Sequence, residues 1–252
     1  MKLIHGDCLE VMDKLISKNI KFDLIVADIP YGTTACNWDS IIPFEDMWGR
    51  LDQLSNDTTP ILLFGSEPFS SALRFSNIKN YKYDWYWHKN KPSGAMTAKK
   101  QPMRAIENIC VFYESPPLYN PQMRERSEAE LKRLSKKSVR TIGTEIDGRA
   151  WGESGNREDN KLKYPNNVID IKTVFNRSKE KVAHPTQKPV ELIEYFLETY
   201  TNEGNSVLDF TCGSGTALIA CQNKKRKGLG IELEKKYCEI SKQRLEENIA
   251  KL

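Results

Sequence analysis

Four short apolar runs constrain the fold of this 252-residue chain: FDLIVA (22–27), PILLF (60–64), SVLDF (206–210) and GLGIEL (228–233). They are short, rich in Val, Ile, Leu and Phe, and lack regular polar alternation. Strands of this kind are covered on both faces, as in a parallel sheet. KLIHG (2–6) predicts a further short strand, and residues 81–88 and NICVFY (108–113) two more. Between the strands, apolar residues recur at helical spacing. Leu9, Met12 and Ile16 predict one helix, and Val190, Ile193, Phe196, Leu197 and Tyr200 another, opening after Pro189. Further helices are expected near 44–55, 67–77 and 215–225, with a last one carrying Leu245, Ile249 and Leu252. This alternation predicts an α/β, doubly wound, mostly parallel sheet. Ligands of such a sheet sit in the crevice beyond the carboxyl ends of the strands.

The rhythm fails over residues 115–180. Pro116, Pro117, Pro121, Gly143, Gly148, Gly152 and Gly155 interrupt that segment, and its helical pattern is confined to about 127–137. A run this long without regular structure reads as a functional insertion. The expected division is therefore a main domain of residues 1–114 and 181–252, with 115–180 inserted. Charge is uneven as well. Residues 79–104 carry a net +6 and 117–182 a net +5, so the remainder of a chain whose total is +4 sums to −7. Two basic segments fit a polyanionic partner, and a solvated charged face fits them equally on charge alone.

No stretch approaches the ~18–20 apolar residues of a membrane helix, so no membrane partner is expected. The N-terminus, MKLIHGDCLE, meets polar residues too early for a signal peptide. The six cysteines show neither CxxC pairing nor zinc spacing. They read as reduced thiols of an intracellular, cytoplasmic protein, and no metal is expected.

Two landmarks lie just beyond strands. IVADIPYG (25–32) ends an apolar strand on an acid, a proline and a tyrosine. VLDFTCGSGTAL (207–218) runs from a strand into a glycine turn and then a helix, and Gly213 and Gly215 allow a tight turn and close approach of a ligand. It matches neither GxGxxG nor a phosphate loop. Glu232 follows at the end of the next strand, where an acid commonly accepts from ribose hydroxyls. Strand, glycine turn, helix, strand and acid together point to an adenosine-type cofactor more than to a structural turn.

Asp28-Ile29-Pro30-Tyr31 resembles the (Asp/Asn/Ser)-Pro-Pro-(Tyr/Phe) signature of S-adenosylmethionine-dependent amino-methyltransferases. HPTQKP (184–189), LDFTCGSGT and GIELEKKYCEISKQR resemble, in that order, the carboxyl-terminal half of the β-type DNA methyltransferases. These enzymes modify exocyclic amines of adenine or cytosine. IHGDCLEVM (4–12) resembles their adenine-contacting segment, placed at the amino terminus as that circular order requires.

The resemblance implies a Rossmann-like methyltransferase fold, S-adenosyl-L-methionine as methyl donor and double-stranded DNA as partner. It implies that Asp7 and Cys8 meet the donor's adenine and Glu232 its ribose. Gly213, Ser214 and Gly215 approach the methionine part, flanked by Asp28, Asp209 and Thr216, and Thr186 and Lys188 lie near its carboxylate. Phe210 packs on the donor adenine only if the aromatic of the family's Asp-Pro-Phe can be displaced by one position, since Phe210-Thr211 stands where the family has Pro-Phe. Ile29 replaces the family's first proline, but what is used there is a main-chain carbonyl. Trp87 and Lys89 resemble the wall around a base turned out of the duplex. Lys91, Lys99, Lys100 and Arg104 are candidate phosphate contacts. Residues 115–180 stand where the family keeps target recognition, with Arg124, Arg126, Arg133 and Lys137 among the candidates for DNA contact. Related enzymes include dimers and members of restriction systems, and the chain shows no interface signature.

A base amine is a weak nucleophile because its lone pair is delocalised into the ring. Asp28 and the Ile29 carbonyl can accept its two hydrogens, Pro30 stiffens the turn, and Tyr31 offers a ring on which the base stacks. The amine reaches this clamp only if the base is flipped out. Asp rather than Ser at the first signature position favours adenine N-6. Cytosine N-4, an RNA or protein-amide substrate, and a non-catalytic binding role remain as alternatives.

Overall fold

The computed structural model describes residues 1–32, 39–135, 161–175 and 180–251, with the backbone alone over 133–135. Met1–Asn120 and Asn167–Leu252 together form one compact unit, and Pro121–Asn166 a second.

The first unit is built on an eight-stranded sheet. Its strands are β1 (Lys2–His5), β2 (Leu24–Ala27), β3 (Ile61–Gly65), β4 (Tyr81–Ser93), β5 (Arg104–Phe112), β8 (Val168–Asp170), β9 (Ser206–Asp209) and β10 (Lys227–Glu232). They lie in the order β1-β10-β9-β2-β3-β5-β4-β8. Pairing is parallel from β1 through to β3, antiparallel where β5 joins β3 and β4, and parallel again between β4 and β8. From β2 the chain continues to β3 on one side, whereas β9, β10 and β1 lie on the other. The topological switch therefore falls between β2 and β9, paired with Ile25 opposite Leu208. A crevice at the carboxyl ends of these two strands is the site such a sheet provides.

The continuous apolar runs are explained by cover on both faces. Ile25, Ala27 and Leu208 enter one core layer with α1 (Cys8–Ile16), α2 (Phe44–Leu54) and α3 (Phe69–Ser76). Leu24, Val26 and Val207 face the other layer, with α5 (Val190–Tyr200) and α6 (Thr216–Asn223). The last helix, α7 (Lys235–Ile249), packs on α6. In the second layer Trp85 Nε1 donates to the Tyr200 hydroxyl at 2.7 Å, and that hydroxyl lies 2.8 Å from the Tyr83 hydroxyl. The aromatic bulk is thus buried with its polar ends satisfied.

Strict alternation along β4 would put Tyr81, Tyr83, Trp85 and Trp87 on one face, but they are divided. A register shift opposes Tyr81 and Tyr83 to the adjacent residues Phe112 and Val111. The extra residue turns Tyr81 to the first core layer, against Phe112 at 5.8 Å, while the other three face the second. β4 and β5 are also longer than the sequence pattern suggests, running on to Ser93 and starting at Arg104.

The second unit holds β6 (Arg124–Glu125) paired antiparallel with β7 (Leu162–Lys163), and α4 (Glu128–Ser135). Ser127 and Glu130 form a capping box: Ser127 N–H donates to Glu130 Oε2 at 2.9 Å, and Glu130 N–H to Ser127 Oγ at 3.3 Å. Lys163 pairs with Glu130. Of the expected insertion 115–180, residues 115–120 fall in the first unit, as do the described residues from 167 on, where β8 pairs with β4. Among the described residues no helix is long and apolar enough to cross a membrane, and no cluster of three metal-ligating side chains occurs. Cys8, Cys110, Cys212, Cys221 and Cys238 are free thiols, and Cys36 lies outside the described residues.

Candidate active site

Asp28 and Gly213, 185 residues apart in sequence, line one cavity of about 770 Å³ at the switch point. That volume lies in the ~300–1,000 Å³ range of small-molecule sites. The glycine turn is held from three sides. Cys212 N–H donates to the Ile231 carbonyl and Gly6 N–H to the Glu232 carbonyl, each at 2.9 Å, so the tips of β1, β9 and β10 converge. Gly213 N–H donates to Glu232 Oε2 and Glu234 N–H to Oε1, both at 2.8 Å. From α7, Ser241 Oγ donates to the Gly213 carbonyl at 2.9 Å and Arg244 to the Ser214 carbonyl at 2.6 Å.

Glycine is required twice here. Gly213 has φ +52°, and a Cβ on it would stand 2.8 Å from His184 Nε2. Gly215 has φ +75°, and its Cβ would stand 2.5 Å from Ser241 Oγ. Gly215 itself caps α6 and lies outside the cavity lining. Asp7 lines the cavity and also caps α1, accepting from Leu9 N–H at 2.9 Å and Glu10 N–H at 3.2 Å. Cys8 lines it too, its thiol pushed up to about 11 by burial. Asp209 accepts from Thr211 N–H at 3.1 Å, and burial, with Asp28 and Glu232 nearby, pushes its carboxyl up to about 8. Thr186 and Thr216 line the cavity, and so does Phe210, whose side chain is buried in the first core layer.

At the end of β2 the acid is not isolated. Asp28 Oδ1 accepts from the Tyr31 hydroxyl at 2.8 Å and Oδ2 from Lys188 Nζ at 2.5 Å. Lys188 Nζ lies 2.9 Å from Glu107 Oε1, while Lys89 Nζ approaches Glu107 Oε2 at 3.3 Å. Tyr31 Oη also donates to Glu107 Oε1, at 3.4 Å. Burial raises the Asp28 carboxyl, with Lys188 opposing and Glu107 adding to the rise. Burial opposes the charge of Glu107 as well, yet Lys188 and Lys89 hold it below the usual carboxylate range. Burial likewise disfavours the Lys188 cation, but the two carboxylates lift it above its ordinary value. Tyr31 is raised by burial and by both carboxylates, so its phenol remains a neutral donor. The Asp28 side chain keeps 24% exposure, facing the cavity.

Lys188, expected near the donor carboxylate, is placed on this carboxylate pair, and its ammonium lies 5.1 Å from the Phe64 ring centroid. Tyr31 lines the cavity with Phe69 behind it at 5.1 Å. Ile29 and Pro30 complete the lining on that side. Trp87 is a buried wall, its indole N–H donating to the Ile171 carbonyl at 2.8 Å. Lys89, Lys91 and Arg104 line the cavity, while Lys99 and Lys100 are exposed in the connection after Ala95–Thr97. Arg124 is exposed and Arg126 half-buried in the second unit. The Arg133 side chain and Lys137 lie outside the described residues. Glu107 lies outside every motif of the sequence, and Ser241 and Arg244 lie within GIELEKKYCEISKQR with no role expected of them. Glu107 does carry a signal: it is in phase with Ile109 and Val111, an acid on an apolar strand face.

Comparison with known proteins agrees with this construction. The model of the DNA methylase family matches residues 22–243, so the chain belongs to that family, the amino-methyltransferases of adenine N-6 and cytosine N-4. The methyl donor of the family is S-adenosylmethionine. The chain is 39% identical to YubD, a proposed methylase of Escherichia coli (strain K12), over 97% of this chain and 89% of that protein. It is 27% identical to YhdJ of the same organism, named a DNA adenine methyltransferase, over 97% and 82%. Some relatives match over less: M.HpaI of Haemophilus parainfluenzae, a type II methyltransferase, is 42% identical over 32% of this chain and 26% of its own. The fold matches that of the M1.HpyAVI complex with S-adenosylmethionine at a TM-score of 0.67, with 24% identity over 97% and 98% of the chains. It also matches the cytosine-N4-specific PvuII methyltransferase at 0.63, with 13% identity over 96% and 85%.

Proposed function

We propose that this protein transfers a methyl group from S-adenosylmethionine to the N-6 amine of adenine in duplex DNA, at a short specific sequence, with the base flipped out. The observation that carries the reading is Asp28: a carboxylate beyond a buried strand, open to the same cavity as the glycine turn one strand away. The name of YhdJ supports adenine, and the M1.HpyAVI complex supports a fold that accommodates the donor.

The residues fit the donor. The Glu232 oxygens, each holding one backbone N–H, keep acceptor capacity for ribose hydroxyls. The Gly213 turn presents bare backbone at the cavity wall, with His184 packed where a Cβ would stand, and Asp7 and Cys8 close the end assigned to the donor adenine. When bound, the donor supplies a methyl group already activated on a sulfonium. The chain's own work is positioning. Asp28 and the Ile29 carbonyl take the two hydrogens of the amine, which frees its lone pair, and Asp28 receives the proton that is lost. Tyr31 holds the ring, Lys89 and Arg104 stand at the cavity wall, and the region 115–180 reads the target sequence. Extruding the base costs a few kcal/mol, offset by the pocket and by phosphate contacts.

Incubation with duplex DNA and labelled donor, followed by nucleoside mass spectrometry, tests the reading. Label in N6-methyladenine is expected. Label only in N4-methylcytosine contradicts the base assignment, and label in RNA or protein but in no duplex contradicts the substrate class.

A further inference from the structure

Two donors and two carboxylates alternate in a closed arrangement beside the cavity. Lys188 Nζ reaches Asp28 at 2.5 Å and Glu107 at 2.9 Å. Tyr31 Oη reaches the same two acids at 2.8 and 3.4 Å. Glu107 is fixed from behind by Lys89, and β4–β5 pairing sets Trp87 directly opposite it. We propose that Glu107 is a positioning residue of the amine clamp: by sharing the Lys188 ammonium and the Tyr31 hydroxyl with Asp28, it leaves the Asp28 carboxylate able to accept from a base amine. The inference rests on the proposed function and adds to it a cavity-lining residue that acts through Asp28.

A carboxylate offers about four lone-pair directions. Were Asp28 the sole partner of a lysine and a tyrosine in a buried site, both donors would concentrate on it and compete with the incoming amine. A second acid divides them. Two cations and two anions also leave the cluster neutral, which limits the cost of burying it. The charged and titratable groups facing Asp28 are Lys188, Glu107 and Tyr31, with Lys89 on the far side of Glu107, Asp209 at the end of β9 and Glu232 at the end of β10. Of these Glu107 is the acid that shares both of Asp28's donors.

A purely structural ion pair would affect stability and leave the behaviour of Asp28 unchanged, so the two roles separate experimentally. Glu107→Gln keeps shape and acceptor but removes the charge. The Asp28 carboxyl is followed by carbon-13 NMR titration in the protein without donor or DNA, and kcat and KM are measured on the wild type's own preferred duplex. The expected midpoint of Asp28 falls by about one pH unit, because a like charge is lost and Lys188 turns wholly to Asp28. The expected kcat drops at least about tenfold, with both KM values changing much less. Glu107→Asp, which restores the charge on a shorter arm, is expected to recover part of both.

An unmoved midpoint with unchanged kcat overturns the inference, as does a loss confined to KM. If Glu107→Gln fails to fold, Glu107→Ser, which removes both the charge and the reach to the two donors, carries the test, and wild-type midpoint and kcat in that folded variant overturn it. Absence of DNA methylation by the wild type, with a shifted midpoint in the variant, overturns the proposed function instead.

Discussion

Thr211 Oγ1 donates to the main-chain carbonyl of Asp28 at 3.2 Å, across the seam between β9 and β2. The two landmarks of the sequence are thereby tied by a direct bond, made by one of the two residues in which the glycine motif departs from the family pattern. Thr211→Val keeps the shape and removes the donor. The expected cost is about 0.5–1.5 kcal/mol, together with a lower kcat and little change in donor KM. Thermal unfolding and steady-state kinetics check this, and unchanged values for both would show that the bond holds nothing.

Gly215 and Gly49 offer a matched pair. Alanine at 215 is forced to φ +75° with its Cβ 2.5 Å from Ser241 Oγ, and is expected to cost about 1–3 kcal/mol and weaken donor binding. Alanine at 49 sits within α2 with nothing inside 4 Å of its Cβ, and is expected to stabilise by about 0.5–1 kcal/mol. Chemical denaturation of both variants, with calorimetric titration of the donor, distinguishes them.

Asp209 makes stability depend on pH. Its carboxyl is raised by burial from the usual acid range to about 8, so the folded protein binds a proton that the unfolded chain has released. The resulting stability is full below the unfolded value and is lost as pH rises through the folded one. Between about pH 4 and 8 the loss is about 1.4 kcal/mol per unit. Asp209→Asn removes this dependence. Urea unfolding of wild type and variant from pH 5 to 8.5, without donor, should give curves whose difference shrinks or reverses in the variant's favour as pH rises. Parallel curves would contradict the assignment.

The exposed side chains of Lys99, Lys100 and Arg104 are expected to contact phosphates. Replacing all three with alanine should weaken DNA binding alike for target and non-target duplexes. The slope of log affinity against log salt should fall by about 0.9 for each phosphate that is no longer neutralised. Fluorescence anisotropy over a salt series measures both, and an unchanged slope would remove these residues from the DNA-binding surface.

The sheet was legible because its central strands are apolar on both faces, whereas the switch point appears only in the pairing of β2 with β9. Where side chains turn at the margins was not. Tyr81 leaves the face of Tyr83 because a bulge inserts a residue, and no local pattern marks it. The destination of Lys188 was not legible either: it lies between Asp28 and Glu107, a partner 81 residues away that strand pairing brings to the site. The helix starting at Cys8, by contrast, announces itself through Asp7, whose cap and cavity positions are one and the same.

In the proposed reaction Asp28 acts on adenine. The direct measurement is long-read detection of modified bases in DNA from cells expressing the wild type or Asp28→Ala. N6-methyladenine confined to one short sequence is expected with the wild type and lost with the variant, a fall of at least about a hundredfold in activity. Methylation persisting in Asp28→Ala, or wild-type modification confined to cytosine, would contradict it.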